Sequence, residues 1–160
     1  MRTSFVAARA VFFTTCFLLL WAWVALRLRV FDHHFGIVLP TWLLPAGMSL
    51  MLGGGILGLW CVLTFIVKGR GTPAPFDPPR SFVAAGPYSW VRNPIYLGGW
   101  LLLSGLGLHE QSTSLVLFSL VLLFVVHLLV VRLKEPGLRR KFGASFDDYC
   151  KAVPRWLPRW

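Results

Sequence analysis

The stretch that decides the fold is residues 94–131, PIYLGGWLLLSGLGLHEQSTSLVLFSLVLLFVVHLLVV. Its first apolar run, residues 94–108, would extend only roughly 22 Å as a helix, which is short for a hydrocarbon layer of ~30 Å. The second run, Gln111–Val131, is long enough to cross it. Because only His109–Gln111 separates the two runs, they are predicted to form an antiparallel helical hairpin in a membrane.

The composition of the whole chain agrees with a membrane protein. The chain has 160 residues, of which 56% are hydrophobic and only 14% charged, and its mean hydropathy is +0.67. Soluble domains carry about 25% charged residues. The net charge of +10 does not indicate nucleic acid here, because the basic residues lie between and after apolar runs. Membrane lipids are the predicted partners of those residues, and nucleic acid is not.

Two further apolar stretches precede the hairpin. Ala10–Leu26 has no charged residue and is followed by arginines instead of a small-residue cleavage site, so it is interpreted as an uncleaved anchor helix and not as a signal peptide. Phe35–Val67 is uncharged throughout, and roughly 20 residues after its prolines can span a membrane. Its Gly54–Gly58 pair has the GxxxG spacing that lets another helix approach closely, which we interpret as helix packing.

These stretches predict an all-α fold, a polytopic transmembrane bundle of about four membrane helices, the third short, with a C-terminal amphipathic cytosolic helix. One membrane domain would cover residues 1–160. Its parts are two N-terminal membrane helices (1–67), a cytosolic Pro-rich loop and turn (68–93), the hairpin (94–133) and a cytosolic or interfacial tail (134–160).

The distribution of basic residues predicts the orientation. The loop from Lys68 to Arg92 holds four Lys/Arg and one acidic residue. The tail from Arg132 onward holds eight Lys/Arg and three acidic residues. The hairpin places loop and tail on one side, which the positive-inside rule makes cytoplasmic. Within the loop, the proline-rich Arg70–Arg80 is predicted to form a strap over a surface. In the tail, residues at near-helical spacing predict one amphipathic helix on the membrane: Leu138, Phe142, Phe146, Tyr149 and Val153.

Metal binding is not predicted, and His127 is the one ionisable residue inside a predicted membrane helix that needs an explanation. Cys16, Cys61 and Cys150 lie far apart and have no metal-ligand spacing, so neither zinc nor a disulfide is expected. His127 is either a functional group or a neutral imidazole bonded to a neighbouring helix, and the second interpretation is favoured.

A specific polar patch, GPYSWVRNPIY (Gly86–Tyr96), leads into the hairpin. Asn93 is a favoured N-cap and Pro94 suits the first helical position, so a helix is predicted to begin here. If the short helix begins below the headgroups, its free N–H groups and its dipole, together with Arg92, form a site for a carboxylate or phosphate. The alternative is a plain cytosolic loop with one interfacial arginine.

The patch and the tail KEPGLRRKFGASFDDYCKAVPRWLP together resemble the isoprenylcysteine carboxyl methyltransferases and related phospholipid methyltransferases. The resemblance covers about residue 69 to the C-terminus. It implies a membrane enzyme that binds S-adenosylmethionine (SAM) in a cytosol-facing pocket and methylates a lipophilic substrate. The residues that it implies for the cofactor are Tyr88, Asn93, Pro94, Tyr96, Leu97, Gly98 and Glu135, the last at the ammonium or ribose. Arg92 and Arg155 become candidate catalytic residues that anchor the acidic part of the cofactor or substrate.

Two residues depart from the family's motif. Asn93 stands where the family usually has His, and Lys134 replaces the first of two glutamates. Two other functions stay open at this point, the first because membrane sterol reductases carry a similar R-x-P-x-Y turn and the second because of Lys134. One is an NADPH-dependent enzyme similar to membrane sterol reductases, and the other is a non-enzymatic membrane protein with a decayed cofactor site.

Overall fold

A computed structural model of the chain describes residues 8, 12, 15–16, 19–21, 23–69 and 84–158. Seven of the 17 residues of the predicted anchor helix Ala10–Leu26, and the whole predicted strap Arg70–Arg80, lie outside the described residues, and the ten described residues of the anchor are helical. Residues 23–28 are helical and lead through the short turns Arg29–Phe31 and Asp32–Phe35 into the bundle.

Helix α1 (Leu44–Thr64) corresponds to the second predicted membrane helix. Pro45 lies in its first turn, where the missing backbone N–H costs no helical hydrogen bond. A 3-10 turn, Thr41–Leu43, precedes it, and a π-helical turn, Phe65–Gly69, follows it. Together they form one continuous helical rod, Thr41–Lys68, which has 28 residues and is apolar enough to cross a membrane.

Helices α2 (Pro94–His109) and α3 (Thr113–Leu129) form the predicted hairpin. The chain reverses at Gln111, which has a positive φ of 51°. The Ser112 hydroxyl accepts a hydrogen bond from the Leu115 N–H at 3.3 Å, and a carboxylate oxygen of Asp32 accepts one from the Ser114 N–H at 2.8 Å. These two acceptors fix where α3 begins.

Glycines on α1 and α2 face each other along an antiparallel seam. A Cβ placed on Gly54 would lie 2.6 Å from the Gly98 carbonyl oxygen, and one on Gly105 would lie 2.6 Å from the Gly47 carbonyl oxygen. Both distances are too short for any side chain, so only glycine fits there. The predicted packing role of the Gly54–Gly58 pair is confirmed, because a Cβ on Gly98 would lie 3.0 Å from the Gly54 carbonyl oxygen and 3.1 Å from the Gly58 nitrogen, although a Cβ on Gly58 itself would meet nothing within 4 Å.

The outer surface of the bundle is apolar. Leu52, Ile56, Val121 and Phe124 are each more than half exposed. In the most apolar 18-residue windows of the two long rods, Thr41–Lys68 and Thr113–Phe142, only 17% and 22% of residues are buried inside the protein. Such rods are not the core helices of a soluble protein, because their apolar side chains face outward, where lipid covers them. The chain is an all-α membrane protein, and α2, with 16 residues, is its short membrane helix.

The tail differs from the single amphipathic helix that the sequence predicted. A π-helical turn, Val130–Lys134, joins α3 to α4 (Glu135–Phe142), so that α3, the turn and α4 form one rod of 30 residues. Helix α5 (Ala144–Ala152) is separate. The break occurs at Gly143, whose φ of 55° is a conformation that glycine adopts without steric cost.

Candidate functional site

Three segments that are distant in sequence meet at one end of the bundle. They are the beginning of α2, the junction of the π turn with α4, and the chain that follows α5. The antiparallel hairpin explains the first two, because α2 begins at the end where α3 finishes. The backbone N–H of Arg92 donates to the Pro154 carbonyl at 2.9 Å, which brings the third segment to the same place.

Glu135 is the centre of the charged part of this site. Arg155 donates to it through two atoms, Nε to Oε1 and Nη2 to Oε2, each at 2.9 Å. Arg92 Nη1 lies 3.0 Å from Oε1. The Glu135 and Arg92 side chains are only 16% and 13% exposed, so water screens this ion pair weakly. Donating these hydrogen bonds to Glu135 raises the pKa of Arg155, which stays charged.

Asn93 and Lys134, the two departures from the family motif, are in contact with each other. Lys134 Nζ donates to Asn93 Oδ1 at 2.8 Å, and it lies 4.7 Å from the centre of the Tyr96 ring. Asn93 Nδ2 donates in turn to the Arg155 carbonyl at 3.3 Å. Asn93 is at the N-cap position of α2, as predicted, but its side chain does not cap the helix. The reason is that the Asn93 side-chain amide is already hydrogen-bonded, through its oxygen to Lys134 and through its nitrogen to the Arg155 carbonyl.

Helix α5 holds the C-terminal segment against the turn before α2. The Tyr149 hydroxyl donates to the Tyr88 carbonyl at 2.6 Å, and burial raises the pKa of Tyr149, which therefore stays protonated. Phe146 is 2% exposed. The Cys150 thiol lies 2.9 Å from Arg92 Nη1. Some apolar residues of α5 therefore pack inside the protein. The sequence had predicted that they would contact the membrane.

The predicted site residues separate into three groups. Contacts within the polar cluster join Arg92, Asn93, Tyr96, Glu135 and Arg155. Leu97 faces an adjoining cavity. The other three are buried in the packing: Tyr88 against Cys61 of α1, Pro94 at the start of α2, and Gly98 in the glycine seam. Their assignment to a cofactor stays a prediction. Lys134 also belongs to the cluster, because it contacts Asn93 and Tyr96. The sequence analysis noted it only as a departure from the family motif.

An apolar cavity of about 440 Å³ adjoins the polar cluster. It lies between α2, α3 and the C-terminal segment and is lined by Leu97, Trp100, Leu120, Leu123, Phe124, His127, Trp156 and Leu157. Leu97 follows Tyr96 of the cluster, and Trp156 follows Arg155, so cavity and cluster are neighbours along two segments. Sequence reasoning did not find Trp100 and Trp156 as lining residues, although the position of Trp156 next to Arg155 was a usable signal.

His127 is a bonded histidine, as the favoured interpretation held, but its partner is in the tail. Trp156 Nε1 donates to His127 Nδ1 at 3.0 Å. A ring nitrogen that accepts has no proton, so the neutral imidazole carries its proton on Nε2. His127 thus ties α3 to the C-terminal segment at the wall of the cavity.

The cluster is suited to an anionic group. It contains three cations, Arg92, Lys134 and Arg155, and one carboxylate, Glu135. The Nε atom of Arg92 is buried and has no hydrogen-bond partner within the described part of the chain. A buried donor without an acceptor is costly, and a ligand carboxylate would satisfy it. These residues therefore fit the acidic end of an amino-acid-like ligand such as SAM.

Fold and site together define a class of protein. It is a helical membrane protein in which a polar cluster able to hold a charged ligand adjoins an apolar cavity at one end of the bundle. The sequence pattern of the family described as phospholipid methyltransferase matches residues 42–145, and the chain belongs to this family. The match includes α1, the hairpin and α4, and thus Asn93, Lys134 and Glu135.

The chain is also similar to three proteins of known name. It is 30% identical over 123 residues to the nickel-cobalt-cadmium resistance protein NccN of Alcaligenes xylosoxydans xylosoxydans, covering 74% of this chain and 53% of the relative. It is 28% identical to the cobalt-zinc-cadmium resistance protein CzcN of Cupriavidus metallidurans, covering 74% of this chain and 52% of the relative. It is 25% identical to the methanethiol S-methyltransferase of Crocosphaera subtropica, covering 88% and 55%. The chain spans about half the length of these curated relatives.

The names of two relatives refer to metals, but the described residues offer no metal centre. Among residues 23–69 and 84–158 and the few described before them, no group of three His, Cys, Asp or Glu could hold an ion.

Proposed function

We propose that this protein is a SAM-dependent methyltransferase that acts on a lipophilic acceptor taken from the membrane. The observation that supports it most is the adjacency of a cationic polar cluster and an apolar cavity in a member of the phospholipid methyltransferase family. A methyl transfer between a polar donor and a lipophilic acceptor requires such adjacent compartments, because the two reactants must be placed in line.

The cluster supplies the binding groups for the donor. Arg92 and Arg155 would hold its carboxylate, and Glu135 would orient both arginines while it faces the ammonium or ribose. Tyr96 and the backbone at the beginning of α2 would contact the remainder. When bound, SAM supplies an electrophilic methyl carbon, which bonds to a lone pair of the acceptor as the carbon–sulfur bond breaks and its electron pair stays on the sulfur of S-adenosylhomocysteine.

The acceptor that we propose is a carboxylate on a lipophilic body, as in isoprenylcysteine O-methylation. Sulfonium and carboxylate react to give neutral products, so the reaction needs no general base and is favoured in a site that excludes water. No Ser-His-Asp arrangement is required. The positive charges of the loop and tail support a cytoplasmic position for this end of the bundle.

Calorimetry on the purified protein in detergent tests the proposal. We expect saturable binding of SAM and of S-adenosylhomocysteine, and no competition by NADPH. Binding of NADPH in their place would favour the reductase alternative. Absence of any nucleotide binding by the intact protein would contradict the proposal and favour a non-enzymatic protein with a decayed site.

Filling the apolar cavity should weaken acceptor binding selectively. Leu97→Trp adds a large ring at its wall, and we expect the KM for a lipophilic acceptor to rise about tenfold, because apolar burial of the acceptor is lost. The Kd of SAM should change less than twofold. Leu52→Trp is the control, since Leu52 is 63% exposed on the outer face of α1. Equal KM values for the two variants would contradict this use of the cavity.

A further inference from the structure

We infer that Lys134 determines the charge of the acceptor that the site takes, so that the protein binds a lipophilic anion, a carboxylate or a thiolate, and rejects a protonated amine. The inference rests on the proposed function and makes its acceptor more specific. It assigns Lys134 as a specificity-determining residue and Asn93 as the residue that positions it.

The first support is that Lys134 forms no direct ion pair with a described residue, and Glu135 attracts it only over a longer distance. Arg92 and Arg155 share the carboxylate of Glu135. Lys134 instead donates to a neutral amide oxygen, Asn93 Oδ1, and rests over the Tyr96 ring. Within the described part of the chain, no carboxylate lies at salt-bridge distance from its ammonium. An ammonium has three donors, so two of them stay available for an incoming acceptor.

The second support is that the position of Lys134 is fixed. Asn93 is 1% exposed, and its amide nitrogen is bonded to the Arg155 carbonyl. That bond leaves Oδ1 as the acceptor directed to Lys134. The half-buried ammonium is therefore held at the edge of the cluster, where solvent screens its charge less than at the surface.

The third support is the distance to the cavity. His127 lines the cavity and Lys134 follows it by seven residues on the same rod, which corresponds to roughly 10 Å at 1.5 Å per residue. An acceptor with its apolar body beside His127 and Leu97 would thus place an anionic head at Lys134. A protonated amine at that position would face three cations and one carboxylate, and like charges repel it.

Three acceptors with the same eight-carbon chain test this charge preference: octanoate, octanethiol and octylamine. In calorimetry with the protein alone near neutral pH, where octanoate is an anion and octylamine a cation, we expect octanoate to bind at least about tenfold more tightly than octylamine. With labelled SAM, the methyl ester and thioether should form and the methylamine should not. Tighter binding of octylamine would overturn the inference and leave the proposed function standing, because SAM binding is measured separately.

Three variants locate the preference at Lys134. Lys134→Met should reduce the octanoate-to-octylamine affinity ratio by about 10- to 100-fold, and Lys134→Glu should invert it, whereas Lys134→Arg should keep it. The ratio compares two ligands on one preparation, so a loss of folded protein does not alter it. Lys151→Met is the matched control, because Lys151 is 77% exposed and pairs with Asp148. An unchanged ratio in Lys134→Met and Lys134→Glu would overturn the assignment.

Discussion

Replacing Glu135 with glutamine is expected to lower SAM affinity by about 100-fold or more and to destabilise the docked tail. Glu135 is 16% exposed and receives three hydrogen bonds or ion-pair contacts from Arg92 and Arg155. Removing one partner of a buried ion pair costs roughly 3–5 kcal/mol, because the remaining charges stay desolvated. Without the carboxylate, the two guanidinium groups repel each other, and Arg155 no longer holds the C-terminal segment at the beginning of α2.

Calorimetry and the rate of proteolysis in the tail measure the two effects independently. Asp147→Asn is the matched control, since it removes another arginine–carboxylate pair of the same region, Arg139–Asp147 at 2.7 Å. That pair is 62% and 42% exposed, so its loss should cost less than about 1 kcal/mol and leave SAM affinity unchanged. If Glu135→Gln kept the tail protected and bound SAM normally, the ion-pair centre would not be the element that organises this site.

Gly54→Ala is expected to separate α1 from α2 and to lower the unfolding midpoint of the protein strongly. The new Cβ would lie 2.6 Å from the Gly98 carbonyl oxygen and 2.7 Å from the Leu102 nitrogen, both backbone atoms that cannot rotate away. Forcing one extra carbon into a packed interface costs typically about 1–3 kcal/mol, and a backbone clash belongs at the upper end of that range. Denaturation of the detergent-solubilised protein, followed by tryptophan fluorescence, measures it.

The adjacent glycine provides the control for the seam. A Cβ on Gly53 would meet nothing within 4 Å, so Gly53→Ala should be neutral or stabilising by up to about 1 kcal/mol through higher helix propensity. The two variants have the same composition and differ by one helical position. Equal stability of both would show that the α1–α2 interface tolerates a wider separation than the structure has.

Part of the candidate site could be predicted from the sequence. The helix start at Asn93–Pro94 is encoded locally, because cap preferences and the backbone of proline act over a few residues. The short separator at His109–Gln111 encodes the hairpin in the same way, and the hairpin brings the start of α2 to the end of α3. The meeting of Asn93 with the Lys134–Glu135 segment therefore follows from local signals and from helix lengths.

Other features of the site could not be predicted. The partners of Glu135 lie 43 residues before it and 20 residues after it, and no periodicity links Arg92 to Arg155. The hydrogen bond between Lys134 and Asn93 could not be predicted either. The two residues depart from two different motifs, and nothing in either motif links one departure to the other. The cavity beside His127 depends on Trp156, whose place is set by how α5 docks. The break at Gly143 was missed because the apolar spacing continues across it.

The sequence by itself determined that this is a membrane protein, where its hairpin turns and which end of the bundle carries the polar groups. Hydrophobic length and the solvation of charges act on each segment independently of the others, so these properties are readable from composition and order. Only the tertiary structure decided which cation pairs with which acceptor and where an apolar cavity opens beside them. Those outcomes depend on backbone approach at the glycine seam and on the docking of the tail, and both are settled by contacts between residues far apart in the chain.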